Sequence, residues 1–489
     1  MPVSTQKQEY NENLPLWQLV RDCVSGQKAI KEKTTLYLPK PIGRDEEAYK
    51  RYLARAHFAM FAARTAEGLY GQVFSKEPDK QGELPQVLEN FLENVDNTGT
   101  SIDQFASDLV WDSMQAPWGG ILVDHSPVPE GMTQAEKERA KLTSFLRWYT
   151  AESVINWRYD TINEQQTLAL VVLKEDYETV GEDKFNPVQK TRYRVLELVD
   201  GVYIQEIWEK VDSTQSGKDE YMTTAVFVPE LDGKHLDFIP FFTCPAKEPE
   251  KSMLLPIAYL NIGHYQLTAD HTNLLHFTAT PTGYGVNVRP AINQKTGEPI
   301  PMEMGGEVFH YIEGIDGKEA RVGYLEPSGQ GGGQLLSAIE AIEKNMEVMG
   351  ADIIKPQKKG VETADAAKIH KAGENAVLGS FSLNMSEKLT QAIRLGARWR
   401  GVPENITENF TYSLNQNYEG DLSNIDSTNL ALRERDNGVM SLWRYLTETK
   451  EMSDEEAEAE IKRIREEEAG KFMPIEEEPV GNTNQLEGE

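Results

Sequence analysis

Residues 364–399 read ADAAKIHKAGENAVLGSFSLNMSEKLTQAIRLGARW, and this stretch carries the longest helical pattern in the chain. One stripe of the pattern holds apolar or small residues: Leu378, Phe381, Met385, Leu389, Ala392 and Gly396. At 1.5 Å per residue a helix of this length is a rod of about 54 Å, whereas the mean helix has about 11–12 residues. Gly373 and Gly379 are positions where it can kink or divide. One small domain covers such a rod poorly, so the pattern favours a spine between domains or a subunit of a large assembly.

The segment before this helix, IIKPQKKGVET at 353–363, is the densest basic spot of an acidic chain, in which 79 carboxylates face 50 basic residues. Its lysines are Lys355, Lys358 and Lys359, and Gly350 and Gly360 are candidate hinges on either side. Two interpretations fit the residues alone. The segment is either an exposed helix connection with solvated lysines, or a mobile loop that presents point charges to a polyanion.

Two helical patterns precede this segment, one on each side of a β-rich insert. The first helix is expected at 254–276, with Ile257, Leu260, His264, Leu267, His271 and Leu274 on one face. The second is expected at 334–349. Residues 281–333 between them hold short strand patterns and many Gly and Pro turns. Two helices that bracket such an insert predict a narrow projecting unit.

The first 253 residues contain segments with the spacing of apolar residues typical of helices and segments with the alternation typical of strands. Helical spacing runs from Glu46 to Phe74 and again from Ser101, and GGILVDH at 119–125 follows as a short apolar strand. Between Ser144 and Thr243 the period is two, and Asp200-Gly201 between alternating runs predicts a tight hairpin. The predicted fold class is therefore α+β, with a mixed, mostly antiparallel sheet region.

Composition and charge exclude several classes of protein. The formal net charge of −29 argues against a tight nucleic-acid binder, because phosphate neutralisation needs clustered Lys and Arg. Residues 451–489 hold fourteen of the carboxylates against four basic residues, which is typical of a solvated flank. The sequence has no signal-peptide pattern and no apolar run long enough for a bilayer, so a soluble protein without a membrane partner is expected. Cys23 and Cys244 lie far apart and are expected to be small core residues.

The sequence offers no catalytic, metal or cofactor signature. His264 and His271 are roughly cofacial, but His276 lies about 120° away on the helix and no HExxH spacing completes a metal site. The run GQGGG at 329–333 precedes a helix, as phosphate loops do, but it lacks the Gly-Lys-Ser/Thr of a P-loop. We interpret it as a flexible linker. No catalytic residue, cofactor or metal is therefore expected, and the chain is not expected to be an enzyme.

Several strings in the chain resemble a known family. They are EEAYKRYLARAHFAMFAARTAEGLYGQVFSKEP, GGILVDH, YTAESVINWRYD, LNIGHYQLTADHTNLLH, PTGYG, ETADAAKIH and GARWRGV. In this order they resemble the tailed-phage portal proteins, in the branch long described only as a domain of unknown function. The resemblance is one of elements and strings and includes no catalytic motif.

The resemblance implies a homo-oligomeric ring, usually of twelve, at one vertex of the capsid. Double-stranded DNA is packaged and later ejected through the channel of such a ring. Its other partners are the major capsid protein, the terminase and the head-tail adaptor, and its location is the virion after synthesis in the host cytoplasm. The implied parts are 1–253 as the N-terminal α/β part of the wing, 254–276 as the first stem helix, 277–333 as the clip, 334–349 as the second stem helix, 350–361 as the tunnel loop, 362–419 as the long spine helix with the rest of the wing, 420–473 as a helical crown and 474–489 as a disordered acidic tail.

The resemblance gives the lysines of the tunnel loop a role. Repeated around the ring, they form a DNA-facing collar of Lys355, Lys358 and Lys359. The hinges of the loop are then Gly350 and Gly360. Two other interpretations remain. The first is another structural or scaffold ring protein of a virion, which also assembles. The second is a cytosolic nucleotide-binding enzyme, for which GQGGGQ is the only favourable feature.

Overall fold

The structure, a computed structural model, describes residues 2–125, 143–162, 164–180, 185–211, 220–279, 282–289, 292–293, 295–299, 313–315, 319, 321–325, 330–349, 364–416, 441–449, 458 and 460–464. The chain divides into two compact units, Met1–Gln416 and Asn417–Glu489. The first unit combines helices with small sheets in which every described strand pairing is antiparallel. The fold class is α+β, as predicted.

The helices of the first unit follow one another along the chain. They are α1 (Gln8–Ser25), α2 (Gln27–Glu32), α3 (Glu46–Arg55), α4 (Phe61–Val73), α5 (Gln86–Glu93), α6 (Ile102–Gln115), α7 (Leu255–Ala279), α8 (Gln330–Val348), α9 (Ala364–Trp399) and α10 (Glu404–Asn409). Side-chain caps fix two of the starts. Asp45 accepts the backbone N–H of Ala48 at the start of α3, and Ser101 accepts that of Gln104 at the start of α6.

The strands are mostly confined to the middle of the first unit. They are β1 (Asp79–Gln81), β2 (Gly119–His125), β3 (Ser144–Thr150), β4 (Val154–Ile162), β5 (Gln165–Thr179), β6 (Val188–Val199), β7 (Val202–Lys210), β8 (Tyr221–Phe227), β9 (Glu230–Leu231), β10 (Lys234–His235), β11 (Phe241–Thr243), β12 (Thr282–Val286), β13 (Val288–Arg289), β14 (Glu313–Gly314), β15 (Arg321–Leu325) and β16 (Thr411–Ser413). The largest sheet is a five-stranded meander in the order β4-β5-β6-β7-β8, and β11-β2-β3 form a second sheet.

The predicted hairpin at Asp200-Gly201 is confirmed. Val199 pairs with Val202, so the two residues form the whole loop between β6 and β7. Their φ angles of 50° and 77° are both positive, as a two-residue turn that matches the twist of the strands requires.

Two apolar cores support the first unit. One lies against the sheets and contains Trp118 and Trp157, whose ring centroids are 4.4 Å apart. The other is helical and is built from α1, α3, α4 and α7, with Cys23 and Tyr265 among its buried residues. Cys23 and Cys244 are both buried and free, and burial raises the pKa of the Cys23 thiol to about 12. Both cysteines are therefore core residues, as expected.

Two sequence expectations differ from the structure. The pattern at Glu46–Phe74 is broken between Arg55 and Phe61, because Phe58 is inserted into the helical core and its N–H donates to Gln27 Oε1 (3.1 Å). The interpretation of GQGGG as a linker is wrong for Gln330–Gly333, which form the first turn of α8. At Gly332 an added Cβ would lie 3.5 Å from Leu274 Cδ2, so packing on α7 supports this glycine-rich turn.

The second unit is described in part. Its described residues include the short helix Leu442–Arg444, which continues as π-helical Tyr445–Thr449. Tyr445 and Leu446 are buried, and Leu442 and Ile461 pack against them. Among the described residues of both units, no helix is long and apolar enough to cross a membrane.

Candidate functional site: the helix pair and its β hairpin

Helices α7 and α8 form an antiparallel pair. Leu274 lies beside Gly332, Ile342 beside Gly263, and His264 beside Glu343. The two residue numbers of each pair add to nearly the same value, which is the signature of helices that run side by side in opposite directions. The end of α7 therefore meets the start of α8, where the connecting β segment leaves the pair.

The hairpin between the helices is built from β12 and β15. Thr282 pairs with Leu325 and Val286 with Arg321, in continuous antiparallel register. The shorter strands β13 and β14 pair next to it through Val288 and Gly314. Within the described part of the chain, these four strands pair only with one another. The β segment is thus carried by the ends of the two helices and belongs to no other sheet.

Helix α7 is rooted in the helical core from its start to Asp270. Asn261 bridges the break between α3 and α4, since its Nδ2 donates to Ala59 O (2.7 Å) and its Oδ1 accepts the N–H of Ala62 (3.1 Å). Tyr52 OH donates to Asp270 Oδ1 (2.6 Å), and Gln266 Nε2 donates to the carbonyl of Tyr37 (2.9 Å). These polar contacts fix the rotation of α7, and with it the direction in which α8 and the hairpin lie.

His264 connects α7 to α8. Its Nε2 lies 3.1 Å from Glu343 Oε1, and its ring meets that of Phe61 edge-on at 5.2 Å. Its Nδ1 is buried without a hydrogen-bond partner. A buried N–H without an acceptor is more costly than a bare ring nitrogen, so we assign the proton to Nε2, which donates to Glu343. His264 thus serves helix packing.

The described residues hold no group of three or more His, Cys, Asp or Glu side chains suited to a metal ion. Of the histidines that the sequence placed on one helix, His271 is half-buried and His276 is exposed. Of these three, His264 alone is buried, and it faces α8.

The helix pair and hairpin leave much apolar surface uncovered. Among the described side chains of α8, only Ile339 and Met346 are buried, seven positions apart on one narrow stripe. Apolar residues of the unit with about half of their surface exposed are Tyr259, Leu275, Tyr284, Val286, Val322, Leu336, Val348 and Met349. Exposed apolar side chains are therefore concentrated on the two helices and the hairpin, which makes this unit the candidate interaction surface of the chain.

Helix α9 provides the long rigid element of the fold. The predicted stripe is buried at Leu378, Phe381, Met385 and Leu389. At Gly396 an added Cβ would lie 2.5 Å from Phe91 Cζ, so only glycine lets α9 approach α5 this closely. Arg400 follows the helix, with its guanidinium 4.3 Å from the centre of the same Phe91 ring. Burial lowers the pKa of Arg400 to about 10.

The predicted lysine collar lies outside the described residues. This holds for Lys355, Lys358 and Lys359 and for the hinge residues Gly350 and Gly360. The described chain stops at Met349, just after α8, and resumes at Ala364 with α9. Their role in DNA contact therefore stays a prediction.

A buried charge cluster joins the two main sheets and was not predicted. Glu175 on β5 accepts from Arg194 Nε (2.7 Å), Arg192 Nε (2.6 Å) and Tyr149 OH. Arg194 Nη1 also donates to Asp124 Oδ2 on β2 (3.3 Å). Burial alone would raise the pKa of Glu175, but the two arginines and the hydrogen bonds outweigh it and lower that pKa to about 2. The signal in the sequence is a pair of arginines, Arg192 and Arg194, on the core face of a strand.

Comparison with known proteins gives one family match and several structural ones. The family model Domain of unknown function (DUF4055) matches residues 253–400, which span α7, the β segment, α8 and α9. A search of curated proteins finds no match.

Solved structures with similar chains include three from gene transfer agent particles, each 12% identical to this chain. The chain in "Virion of native gene transfer agent (GTA) particle" has a TM-score of 0.37 and aligns over 86% of this chain and 98% of its own length. The one in "Neck of empty GTA particle computed with C6 symmetry" has a TM-score of 0.39, with 84% and 94% covered. The one in "Neck of native GTA particle computed with C12 symmetry" has a TM-score of 0.37, with 86% and 99% covered.

Proposed function

We propose that this chain is a portal protein: a non-enzymatic virion subunit that forms a ring at one capsid vertex and lets double-stranded DNA pass through it. The observation that carries the proposal is the α7–hairpin–α8 unit. It is rooted in the helical core through Asn261 and Asp270, yet its apolar side chains remain half-exposed. Such a surface needs a partner, and the proposed partner is the next copy of the chain.

Contacts of this kind between copies lead naturally to a ring. When one surface of a subunit meets a different surface of its neighbour, the arrangement either closes on itself or grows into a filament. Residues 364–399 form one helix of 36 residues, which a ring of neighbours covers better than a lone subunit does. In the proposed ring α7 and α8 are the stem helices, the β segment between them is the clip, and α9 is the spine.

The charge of the chain suits a channel through which DNA slides. Twelve copies carry a formal charge of −348, which is twelve times −29. A wall of that sign repels phosphate and prevents the DNA from being trapped. In the proposed ring, Lys355, Lys358 and Lys359 form a small positive collar between the stem and the spine that steadies the DNA.

The proposed partners follow from the same assignment. The clip docks the terminase during packaging and the head-tail adaptor afterwards, and the outer wing meets the major capsid protein. The sequence lacks a Walker lysine, so ATP hydrolysis for packaging is assigned to the partner motor.

The role of the exposed apolar surface is tested with a pair of substitutions on α8. We expect Leu336→Glu with Val348→Glu to reduce the particle mass from about 660 kDa, twelve times 55.2 kDa, to that of smaller species. The matched control is Val180→Glu with Val199→Glu, two exposed valines, of which Val180 follows β5 directly and Val199 is the last residue of β6. A double variant of α8 that assembles like the control contradicts the proposed interface.

The lysine collar is tested separately in assembled particles. A triple alanine variant of Lys355, Lys358 and Lys359 should assemble normally but package or retain less DNA, because the charges act on the DNA alone. Unchanged packaging and DNA retention would refute the collar and leave the ring itself standing.

A further inference from the structure

The surface formed by α2, α3 and α4 has the opposite charge to the rest of the protein. Between Lys28 and Arg64 the sequence has nine Lys or Arg and four Asp or Glu, a net charge of +5. The remainder of the chain therefore carries −34, which is −29 minus +5. We call six of these cations, taken together, the basic face: Lys28, Lys31, Lys33, Arg51, Arg55 and Arg64.

The fold brings these residues of three helices into one region. Lys31 Nζ on α2 donates to the carbonyl of Ala54 near the end of α3 (3.2 Å). Gln27 Oε1 accepts the N–H of Phe58, and Gly26 is packed closely against the side chain of Met60 just before α4. Helix α2 thus lies against the connection between α3 and α4, which carries Arg51 and Arg55 on one side and Arg64 on the other.

Cations of the basic face lack the partners that cations elsewhere have. On the five-stranded sheet, Arg158, Arg192 and Arg194 each lie within 4 Å of a carboxylate oxygen. Among the described residues, no carboxylate pairs with Lys31, Lys33, Arg51, Arg55 or Arg64, and Lys28 meets Glu32 only at 4.0 Å on an open surface. Lys31 donates to a carbonyl and Arg55 Nη1 is buried, so the positive charge open to an external anion lies on the exposed members of the face: Lys28, Lys33, Arg51 and Arg64.

Helix electrostatics do not explain the basic face. Arg55 lies in the last turn of α3, where a helix dipole favours cations. Lys28 and Arg64, however, lie in the first turns of α2 and α4, where the dipole disfavours them. Their positions oppose local stability, which is typical of residues that serve binding.

We propose that the basic face, which is separate in sequence from the lysine collar at 355–359, binds the phosphate backbone of duplex DNA. Clustered Lys and Arg on one face are the electrostatic footprint of nucleic-acid binding. Four aromatic residues of this segment, Tyr37, Tyr49, Tyr52 and Phe58, are buried. The fifth, Phe61, is half-buried and packs edge-on against His264, so the face lacks the aromatic anchors found at the centre of protein interfaces. Leu36, Ile42 and Met60 are its exposed apolar residues and stand singly along the chain. The choice of duplex DNA as the polyanion rests on the proposed function, whereas the basic face itself does not.

The test compares two variants of the full-length chain that lose the same charge. The first neutralises the basic face by Lys28→Gln, Lys33→Gln, Arg51→Gln and Arg64→Gln. The control neutralises four lysines in and around the sheets by Lys174→Gln, Lys190→Gln, Lys234→Gln and Lys247→Gln. Binding of a labelled 40-bp duplex is measured by fluorescence anisotropy between about 50 and 200 mM KCl, and the mass of each assembly is measured on the same samples.

We expect the basic-face variant to bind the duplex about tenfold or more weakly at the low salt concentration. The slope of log K against log salt should fall by about 0.9 for each phosphate that the variant no longer neutralises, at most ~3.6 for four. The control should change affinity less than about twofold, and the melting temperature of the basic-face variant should not fall, because Lys28 and Arg64 oppose their helix dipoles.

The proposal would be overturned by equal loss of binding in both variants, by no loss in either, or by a basic-face variant that keeps its DNA affinity but loses assembly mass. The last result would identify the face as a protein interface. If the wild-type chain forms a ring but binds no duplex, DNA binding by the basic face is refuted and the proposed ring still stands. If the chain is a monomer that binds DNA through this face, the basic face is supported and the proposed ring is refuted.

Discussion

Replacement of Glu175 by Gln should destabilise the junction between the two main sheets by about 3 kcal/mol at neutral pH. The pKa of Glu175 falls from 4.5 to about 2 in the folded chain, and each pKa unit corresponds to about 1.4 kcal/mol. The substitution removes the charge that Arg192 and Arg194 face, and Arg194 is buried. Loss of one partner of a buried ion pair typically costs about 3–5 kcal/mol, in agreement with this value.

The pH dependence of the same variant provides a sharper test. A carboxyl group whose pKa is lowered by folding stabilises the folded state above its unfolded pKa of 4.5, and this contribution is lost as pH falls through the folded value of about 2. The difference in unfolding free energy between wild type and Glu175→Gln should therefore be full at pH 7 and shrink steadily below about pH 4.5.

Urea unfolding followed by tryptophan fluorescence measures this difference, since Trp118 and Trp157 lie in the core against the sheets. Glu178→Gln is the matched control, because Glu178 is exposed on the same strand and should change stability by less than ~0.5 kcal/mol. A difference for Glu175→Gln below about 1 kcal/mol at pH 7, or one that stays constant down to pH 3, would refute the assigned role of the cluster.

Two further predictions concern the helices. Gly396→Ala should destabilise the chain by about 1–3 kcal/mol in chemical unfolding, because the added Cβ would lie 2.5 Å from Phe91 Cζ. The control is Gly379→Ala on the same helix. Its added Cβ meets nothing closer than 3.8 Å, so the substitution should be neutral or mildly stabilising. Equal effects would show that α9 does not pack tightly on α5. Glu343→Ala removes the hydrogen-bond acceptor of His264, so it should lower the free energy of opening of α8 by about 1 kcal/mol. Amide hydrogen exchange across residues 335–348 should then rise about fivefold. The control variant, Glu340→Ala, should leave exchange unchanged. Unchanged exchange in Glu343→Ala would exclude a role for this contact in holding α8.

Long periodic segments of this fold are predictable from the sequence. The bounds of α9 agree with the pattern at 364–399, because a stripe sustained over many turns identifies both the helix and its buried side. The loop at Asp200 and Gly201 is equally clear, since two residues that accept positive φ stand between alternating runs.

The departures from prediction arise from tertiary contacts. Nothing in the spacing of Glu46–Phe74 shows that Phe58 packs beside Tyr265, a residue more than 200 positions away, and so breaks the helix. Glycines 331–333 favour a linker by intrinsic propensity, but α7 gives them a surface on which to form a helical turn.

The candidate site was predictable in outline only. The order helix, β insert, helix can be read from the sequence, and His264 stands on the predicted face of the first helix. Its partner Glu343 cannot be read in the same way, because the contact spans 79 residues and depends on the register between two helices. The unpaired cations of α2, α3 and α4 cannot be recognised from the residues alone, since the absence of partner carboxylates is visible only in three dimensions.

The central claim is that this chain closes into a ring with a channel. The most direct measurement is the mass of the purified full-length assembly at micromolar concentration, together with negative-stain images of the same sample. The proposed function predicts a particle of about twelve copies with rotational symmetry and a central hole. A monomer or dimer, or an assembly without a central hole, would contradict it.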